Sequence, residues 1–156
     1  MAKINGVAHI SLTVSDIELS KPFYRKFFEL LEMKIVLDKE NSLYGVGGRT
    51  GIVIKQCPKE NKDNKFNQLN PGLHHFCFRT LNREDVDQIY NFAKEMDANI
   101  IHTPREDGFA PGYYSVLFED PDGIRLEANH IPGKGILAPG LNEIGERKTS
   151  WDSLLR

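Results

Sequence analysis

The feature that most constrains the fold is a pattern of strands and helices that occurs twice along the chain. Residues 9–14 (His-Ile-Ser-Leu-Thr-Val) align with residues 75–80 (His-Phe-Cys-Phe-Arg-Thr), and residues 51–55 align with residues 123–127. Each half begins with an alternating strand, continues with an amphipathic helix and ends with three short strands. The predicted fold class is therefore α+β, with two tandem βαβββ units forming a curved mixed sheet around a cavity.

The boundaries of the repeats follow from composition. Residues 58–72 are polar and rich in turn-forming residues, which indicates a linker between the two repeats. A chain of 156 residues is long enough for one domain with a substantial core. We therefore predict a single domain at 1–132, built from repeats 5–57 and 73–130, and a C-terminal tail at 133–156. Residues 151–155 of this tail are predicted to form a short turn that docks against a partner subunit.

Charge and hydropathy exclude several classes of function. Twenty basic and 22 acidic residues give a formal net charge of −2, which does not favour a nucleic-acid or membrane surface. The apolar runs are too short for a membrane span or a secretory signal. Cys57 and Cys77 form no CxxC pair and are expected to be free thiols. These features predict a cytoplasmic protein.

The alternation of residues along the strands predicts a metal site. The helices should cover the faces that carry the apolar residues, which leaves His9, Lys55, His75 and Glu127 on the opposite faces. Two histidines and one carboxylate form the facial set that binds Fe(II) and also suits zinc, manganese or nickel. We predict that His9, His75 and Glu127 bind one divalent ion in the cavity, leaving positions open for water and substrate.

Several longer motifs resemble the vicinal oxygen chelate superfamily. They are His9 followed by Ile-Ser-Leu-Thr-Val-Ser-Asp, the Phe23-Tyr24 and His74-His75 pairs, and residues 118–127 (Phe-Glu-Asp-Pro-Asp-Gly-Ile-Arg-Leu-Glu). This superfamily includes glyoxalase I, methylmalonyl-CoA epimerase, the fosfomycin-resistance enzymes, extradiol dioxygenases and bleomycin-binding proteins. The resemblance covers about residues 5–132. It implies the same three ligands and a metal that chelates two neighbouring oxygens of a substrate.

The chain differs from the family pattern at several positions, and these differences disfavour some of the family's activities. Glyoxalase I and the epimerase use a fourth protein ligand, and the repeat alignment places Lys55 at that position, unless the neighbouring Gln56 reaches in. A protonated lysine cannot bind a metal ion, which disfavours an orthodox glyoxalase I. The fosfomycin-resistance enzymes share a Thr or Ser at the position of Ser11. They usually carry a Tyr ten residues before the glutamate ligand, where this chain has Leu117.

Other residues are predicted to contact the substrate or take part in catalysis. Lys55, Arg79 and Arg125 share the alternation of the ligands and would favour an anionic substrate. Tyr113 lies in an aromatic loop at 105–114 of a kind that often closes over substrate. The predicted substrate-binding residues are Ser11, Lys55, Arg79, Tyr113 and Arg125, and the predicted catalytic residues are Glu127 and Lys55.

Three functions remain open from the sequence. The first is a metal-dependent lyase, isomerase or transferase acting on a small anionic substrate that chelates through oxygen. The second is an Fe(II) extradiol-type dioxygenase, and the third is a metal-free binding or resistance protein. A homodimer is expected, with the site formed within one chain or across two, because both arrangements occur among the relatives.

Overall fold

The computed structural model describes residues 1–135. The chain divides into two compact units, the first at residues 1–66 and the second from residue 67 onward. Each unit contains one helix and one four-stranded mixed sheet, which confirms the predicted tandem βαβββ organisation. The predicted docking turn at 151–155 lies outside the described residues.

The first unit contains one sheet and the helix that follows its first strand. Its strands run in the order β1-β4-β3-β2, with β1 and β4 parallel and the other neighbours antiparallel. The Asp16 side chain caps the helix by accepting a hydrogen bond from the amide of Glu18 at 3.0 Å. The elements are β1 (His9–Val14), α1 (Ile17–Leu30), β2 (Lys34–Lys39), β3 (Ser42–Gly47), β4 (Thr50–Gln56) and a short 3-10 turn (Lys59–Asn61).

The two faces of this first sheet differ as the alternation predicted. Ile52 and Ile54 of β4 are fully buried, whereas Lys55 is exposed. His9 and Ser11 of β1 are also exposed. The core of the unit forms between α1 and the apolar face of the sheet, and it includes Leu12, Val14, Phe23, Tyr24, Phe27, Phe28, Leu43, Ile52 and Ile54.

The second unit repeats this topology. Its strand order is β5-β8-β7-β6, with β5 and β8 parallel. The helix begins with a capping box, in which Asn82 and Asp85 each accept a hydrogen bond from the other's backbone amide. The elements are β5 (Phe76–Arg79), α2 (Arg83–Glu95), β6 (Ile100–Glu106), β7 (Tyr114–Glu119) and β8 (Arg125–His130).

Two boundaries in this unit differ from the prediction and affect the candidate site. Strand β5 begins at Phe76, so His75, which the repeat alignment placed at the start of this strand, precedes it together with His74. Strand β6 extends to Glu106, so Arg105 belongs to a strand and the connecting loop covers only residues 107–113. Among the described residues, no helix combines the length and apolar character needed to cross a membrane.

Candidate metal centre

The second unit brings together two of the three predicted ligands. The Nε2 atom of His75 lies 3.0 Å from the Oε2 atom of Glu127. Both side chains are largely buried, with 13% and 9% of their surface exposed. Glu127 extends from the middle of β8, and Cys77 stands opposite it in β5, two residues after His75. Two of the predicted ligands therefore lie side by side in the second unit, and their role as metal ligands stays a prediction.

Several hydrogen-bond donors surround the buried carboxylate of Glu127. Tyr113 donates its hydroxyl hydrogen to Oε1 at 2.7 Å, and His75 and Ser115 are further hydrogen-bonding partners. Burial alone would raise the pKa of Glu127, but the hydrogen bonds from His75, Tyr113 and Ser115 and the charge of His75 lower it. The site therefore keeps this carboxylate ionised, which is the form that binds a metal ion.

His74 contacts the other ring nitrogen of His75. The two Nδ1 atoms are 2.7 Å apart and the rings meet edge to face, with centroids separated by 5.0 Å. Burial, His75 and Arg125 lower the pKa of His74, which favours its neutral form. A hydrogen bond at one nitrogen of a histidine fixes the ring and directs the other nitrogen. His74 thus orients Nε2 of His75 toward Glu127.

The Asp-Pro-Asp-Gly motif sets the position of Glu127 along its strand. The Oδ1 atom of Asp120 accepts hydrogen bonds from the amides of Asp122 at 2.9 Å and Ile124 at 2.8 Å. Gly123 adopts a positive φ of 84° in this turn, a conformation that costs glycine little. The turn joins β7 to β8 and fixes their register, in which Leu117 pairs with Glu127. This motif is therefore structural and acts on the site through strand register.

Replacing Asp120 with alanine should destabilise the second unit by about 2–3 kcal/mol. The change leaves two backbone amides of a buried turn without their charged acceptor. Urea denaturation followed by circular dichroism measures the loss, and Asp63→Ala, at an exposed loop position, is the control. Equal stability of the two variants would contradict this role of Asp120.

The strand register changes which residue of the first unit is equivalent to Glu127. In the first unit Ser11 pairs with Val53, whereas in the second unit Cys77 pairs with Glu127. With His9 taken as equivalent to His75, the residue equivalent to Glu127 is Val53, and Lys55 is equivalent to Asn129. The prediction that Lys55 occupies the fourth ligand position was therefore wrong. That prediction came from aligning the glycines at the start of residues 51–55 and 123–127. Strand register depends on hydrogen bonding between strands rather than on residue identity.

Gln56, the other candidate for a fourth ligand, is engaged at the start of α1. Its Oε1 atom accepts a hydrogen bond from the amide of Ile17 at 2.8 Å, and its Nε2 atom donates to the carbonyl of Ser15 at 2.7 Å. These contacts hold its side chain within the loop that precedes the helix. Neither Val53 nor Gln56 thus provides a ligand on the open face of the first sheet.

The basic residues predicted to bind substrate have different surroundings. Arg125 is largely buried, and its Nε atom lies 3.3 Å from the Oε1 atom of Glu119. Arg79 and Lys55 are exposed and form no ion pair within residues 1–135. Arg79 also shares the face of Cys77 and Glu127, because it lies two residues after Cys77 in β5. Arg79 is thus better placed than Arg125 to meet an anionic ligand.

The number of buried polar residues next to Glu127 is larger than the sequence predicted. Tyr113 was expected in a mobile loop, but it is buried with Ala110 and Ile131. Burial and the Glu127 carboxylate raise the pKa of its hydroxyl, so Tyr113 remains a proton donor at neutral pH. Ser115 and Asn129 are also buried on this face, and neither was singled out from the sequence. Their position two residues from Tyr113 and Glu127 was the available signal.

Cys77 is a free thiol beside the pair, as is Cys57 elsewhere in the chain. The Cys77 residue is exposed, yet low hydration around its sulfur and the nearby Glu127 carboxylate raise the pKa of the thiol. A thiol held in its protonated form is a poor nucleophile. Cys77 is thus a poor candidate for a catalytic nucleophile.

The geometry of the His75 and Glu127 pair fits two neighbouring ligands of one divalent ion. Metal–nitrogen and metal–oxygen bonds of about 2.1 Å at a right angle place the two donor atoms about 3.0 Å apart. The observed separation of Nε2 and Oε2 is 3.0 Å. Among the described residues, no third His, Cys, Asp or Glu joins the pair in a metal-holding group. The role of His9, exposed on the first sheet, therefore stays a prediction.

Comparison with known proteins identifies the family. The family model of the Glyoxalase/Bleomycin resistance protein/Dioxygenase superfamily matches residues 6–128. Metallothiol transferase FosB of Staphylococcus haemolyticus strain JCSC1435 is 31% identical over 80% of this chain and 82% of its own length. FosB of Staphylococcus saprophyticus is 26% identical over 97% of this chain and 94% of its own length.

A solved structure agrees with these sequence matches. A glyoxylase/bleomycin resistance protein/dioxygenase domain from Frankia sp. EAN1pec superposes with a TM-score of 0.67 at 28% identity, covering 82% of this chain and 98% of that domain. The matched residues cover most of both repeats and include His75 and Glu127. The chain belongs to the Glyoxalase/Bleomycin resistance protein/Dioxygenase superfamily.

Proposed function

We propose that this protein is a divalent-metal-dependent transferase that joins a thiol to a small anionic substrate with two neighbouring oxygens. The observation that carries the proposal is the buried pair of His75 and Glu127, whose donor atoms have the spacing of two ligands of one ion. Relatives named metallothiol transferase favour transferase chemistry over the lyase and isomerase alternatives. In this proposal His9 is the third ligand, contributed by the same chain or by a second copy.

The exposed basic residues favour an anionic substrate. Arg79 is exposed on the face that carries Glu127 and has no acidic partner within residues 1–135. Its planar guanidinium can bind a phosphonate or carboxylate through two hydrogen bonds. We assign Lys55 and Ser11, both exposed on the open face of the first sheet, to supporting contacts with the substrate.

A bound divalent ion would supply Lewis-acid polarisation of a substrate oxygen. The protein's own contribution is to hold Glu127 ionised, to direct His75 through His74 and to attract the anion through Arg79. With an epoxide as substrate, the thiol sulfur bonds to a ring carbon and the ring carbon–oxygen bond breaks. The proton from the thiol ends on the released oxygen, so no oxidant or reductant is needed.

Metal analysis and a turnover assay together test the proposal. Protein purified without chelators should contain about one zinc, nickel or manganese ion per site. With Mn²⁺ and a low-molecular-weight thiol, it should consume fosfomycin and thiol in equal amounts, as followed by ³¹P NMR. Bound iron with oxygen uptake would favour the dioxygenase alternative. Failure to bind any divalent ion would instead favour the metal-free binding protein.

A further inference from the structure

The two oxygens of the Glu127 carboxylate have different partners. Oε1 accepts a hydrogen bond from the hydroxyl of Tyr113 at 2.7 Å, whereas Oε2 lies 3.0 Å from Nε2 of His75. Leu117, which stands directly opposite Glu127 in β7, contributes no polar atom. The Tyr113 hydroxyl reaches this carboxylate from just before β7, at the end of the 107–113 loop, and Ser115 of β7 is a further hydrogen-bonding partner.

The loop around Tyr113 fixes the position of that hydroxyl. The amide of Tyr113 donates to the carbonyl of Ala110 at 3.0 Å, and its carbonyl accepts from the amide of Asp107 at 3.0 Å. Its ring packs against Phe109, with centroids 5.0 Å apart, and is buried with Ala110 and Ile131. These contacts leave the tyrosine side chain little freedom to move away from Glu127.

We propose that Tyr113 is a positioning residue that occupies Oε1 of Glu127 and leaves Oε2 as the single oxygen offered to the metal ion. This inference rests on the proposed metal-dependent function. A carboxylate that binds through one oxygen takes one coordination position instead of two. The position that is spared stays open for the second oxygen of a chelating substrate.

The test compares two neighbouring tyrosines. Tyr113→Phe removes only the hydroxyl and keeps the ring in its apolar cluster. Tyr114→Phe is the matched control, because its hydroxyl donates to Asp87 at 2.8 Å on the surface. Full-length proteins freed of metal by chelator are titrated with Mn²⁺ by calorimetry and with Co²⁺ by visible absorption. Thermal unfolding of the metal-free proteins checks that both variants fold.

Tyr113→Phe is expected to weaken Mn²⁺ binding about 10- to 100-fold, as is typical when a partner of a metal ligand is removed. Its Co²⁺ absorption should also become weaker than that of the wild type, because a carboxylate bound through both oxygens raises the coordination number. Tyr114→Phe should match the wild type within about twofold. Wild-type Mn²⁺ affinity or a wild-type Co²⁺ spectrum in Tyr113→Phe would overturn the inference alone. Absence of metal binding by the wild-type protein would overturn the proposed function and the inference with it.

Discussion

Replacing His75 with alanine is expected to reduce the affinity for divalent metal by more than about 100-fold. Substitution of a residue that merely supports a metal ligand typically costs about 10- to 100-fold, so loss of a ligand should cost more. The change also removes the imidazole that lies 3.0 Å from Oε2 of the buried Glu127 carboxylate. Calorimetric titration of chelator-treated protein with Mn²⁺ measures the affinity.

The control for this substitution is His102→Ala. His102 lies on β6 of the same unit, and its Nδ1 atom is 3.0 Å from the carbonyl of the adjacent Thr103. Removing it changes a histidine on the same sheet without removing a proposed ligand, so metal affinity should stay within about threefold of wild type. Stoichiometric metal that survives His75→Ala with wild-type affinity would rule out the proposed site.

The second large effect is expected for Glu127→Gln in the thiol-transfer assay. The amide has nearly the shape of the carboxylate but lacks its charge, so it can keep a hydrogen bond while losing most of its attraction for the ion. Lewis-acid stabilisation is worth several kcal/mol, which corresponds to at least about a 1,000-fold loss of kcat/KM. Consumption of fosfomycin by ³¹P NMR at a fixed Mn²⁺ concentration measures the loss.

Glu106→Gln is the matched control for that experiment. Glu106 lies at the end of β6, where its exposed carboxylate pairs with Arg83 at 2.6 Å. Loss of a surface ion pair has little effect on the fold, so this variant should keep near wild-type activity. If Glu127→Gln retained more than about a tenth of the activity, Glu127 could not be the acidic ligand of a catalytic ion.

The sequence predicted the architecture well because its signals are local. Apolar residues at every second position determine which face of a strand is buried, and this correctly placed Ile52 and Ile54 against the helix. The same alternation placed Glu127 on the opposite face of β8 from the buried Leu126 and Ala128. The repeated βαβββ order could be predicted in this way, whereas the role of His75 and Glu127 as metal ligands stays a prediction.

Strand register could not be predicted, and it changed the interpretation of the site. The sequence alignment made Lys55 the equivalent of Glu127. The hydrogen bonding between strands shows instead that Val53 is the residue of the first unit equivalent to Glu127. Register depends on turn geometry and on contacts between residues distant in sequence. The correction removes a cation from the fourth ligand position. It leaves Lys55 on the same face, about 7 Å further along the strand.

By itself, the sequence determined which residue types face away from the helices, including both His75 and the Glu127 beside it. Only the tertiary structure decided how Glu127 is held, with Tyr113 on one oxygen, His75 at the other and His74 behind the histidine. The physical reason is that alternation is a property of one strand, whereas these contacts join side chains from a loop and from separate strands. Such contacts form only when the hydrogen bonding of the sheet and the packing of the loop fix their distances.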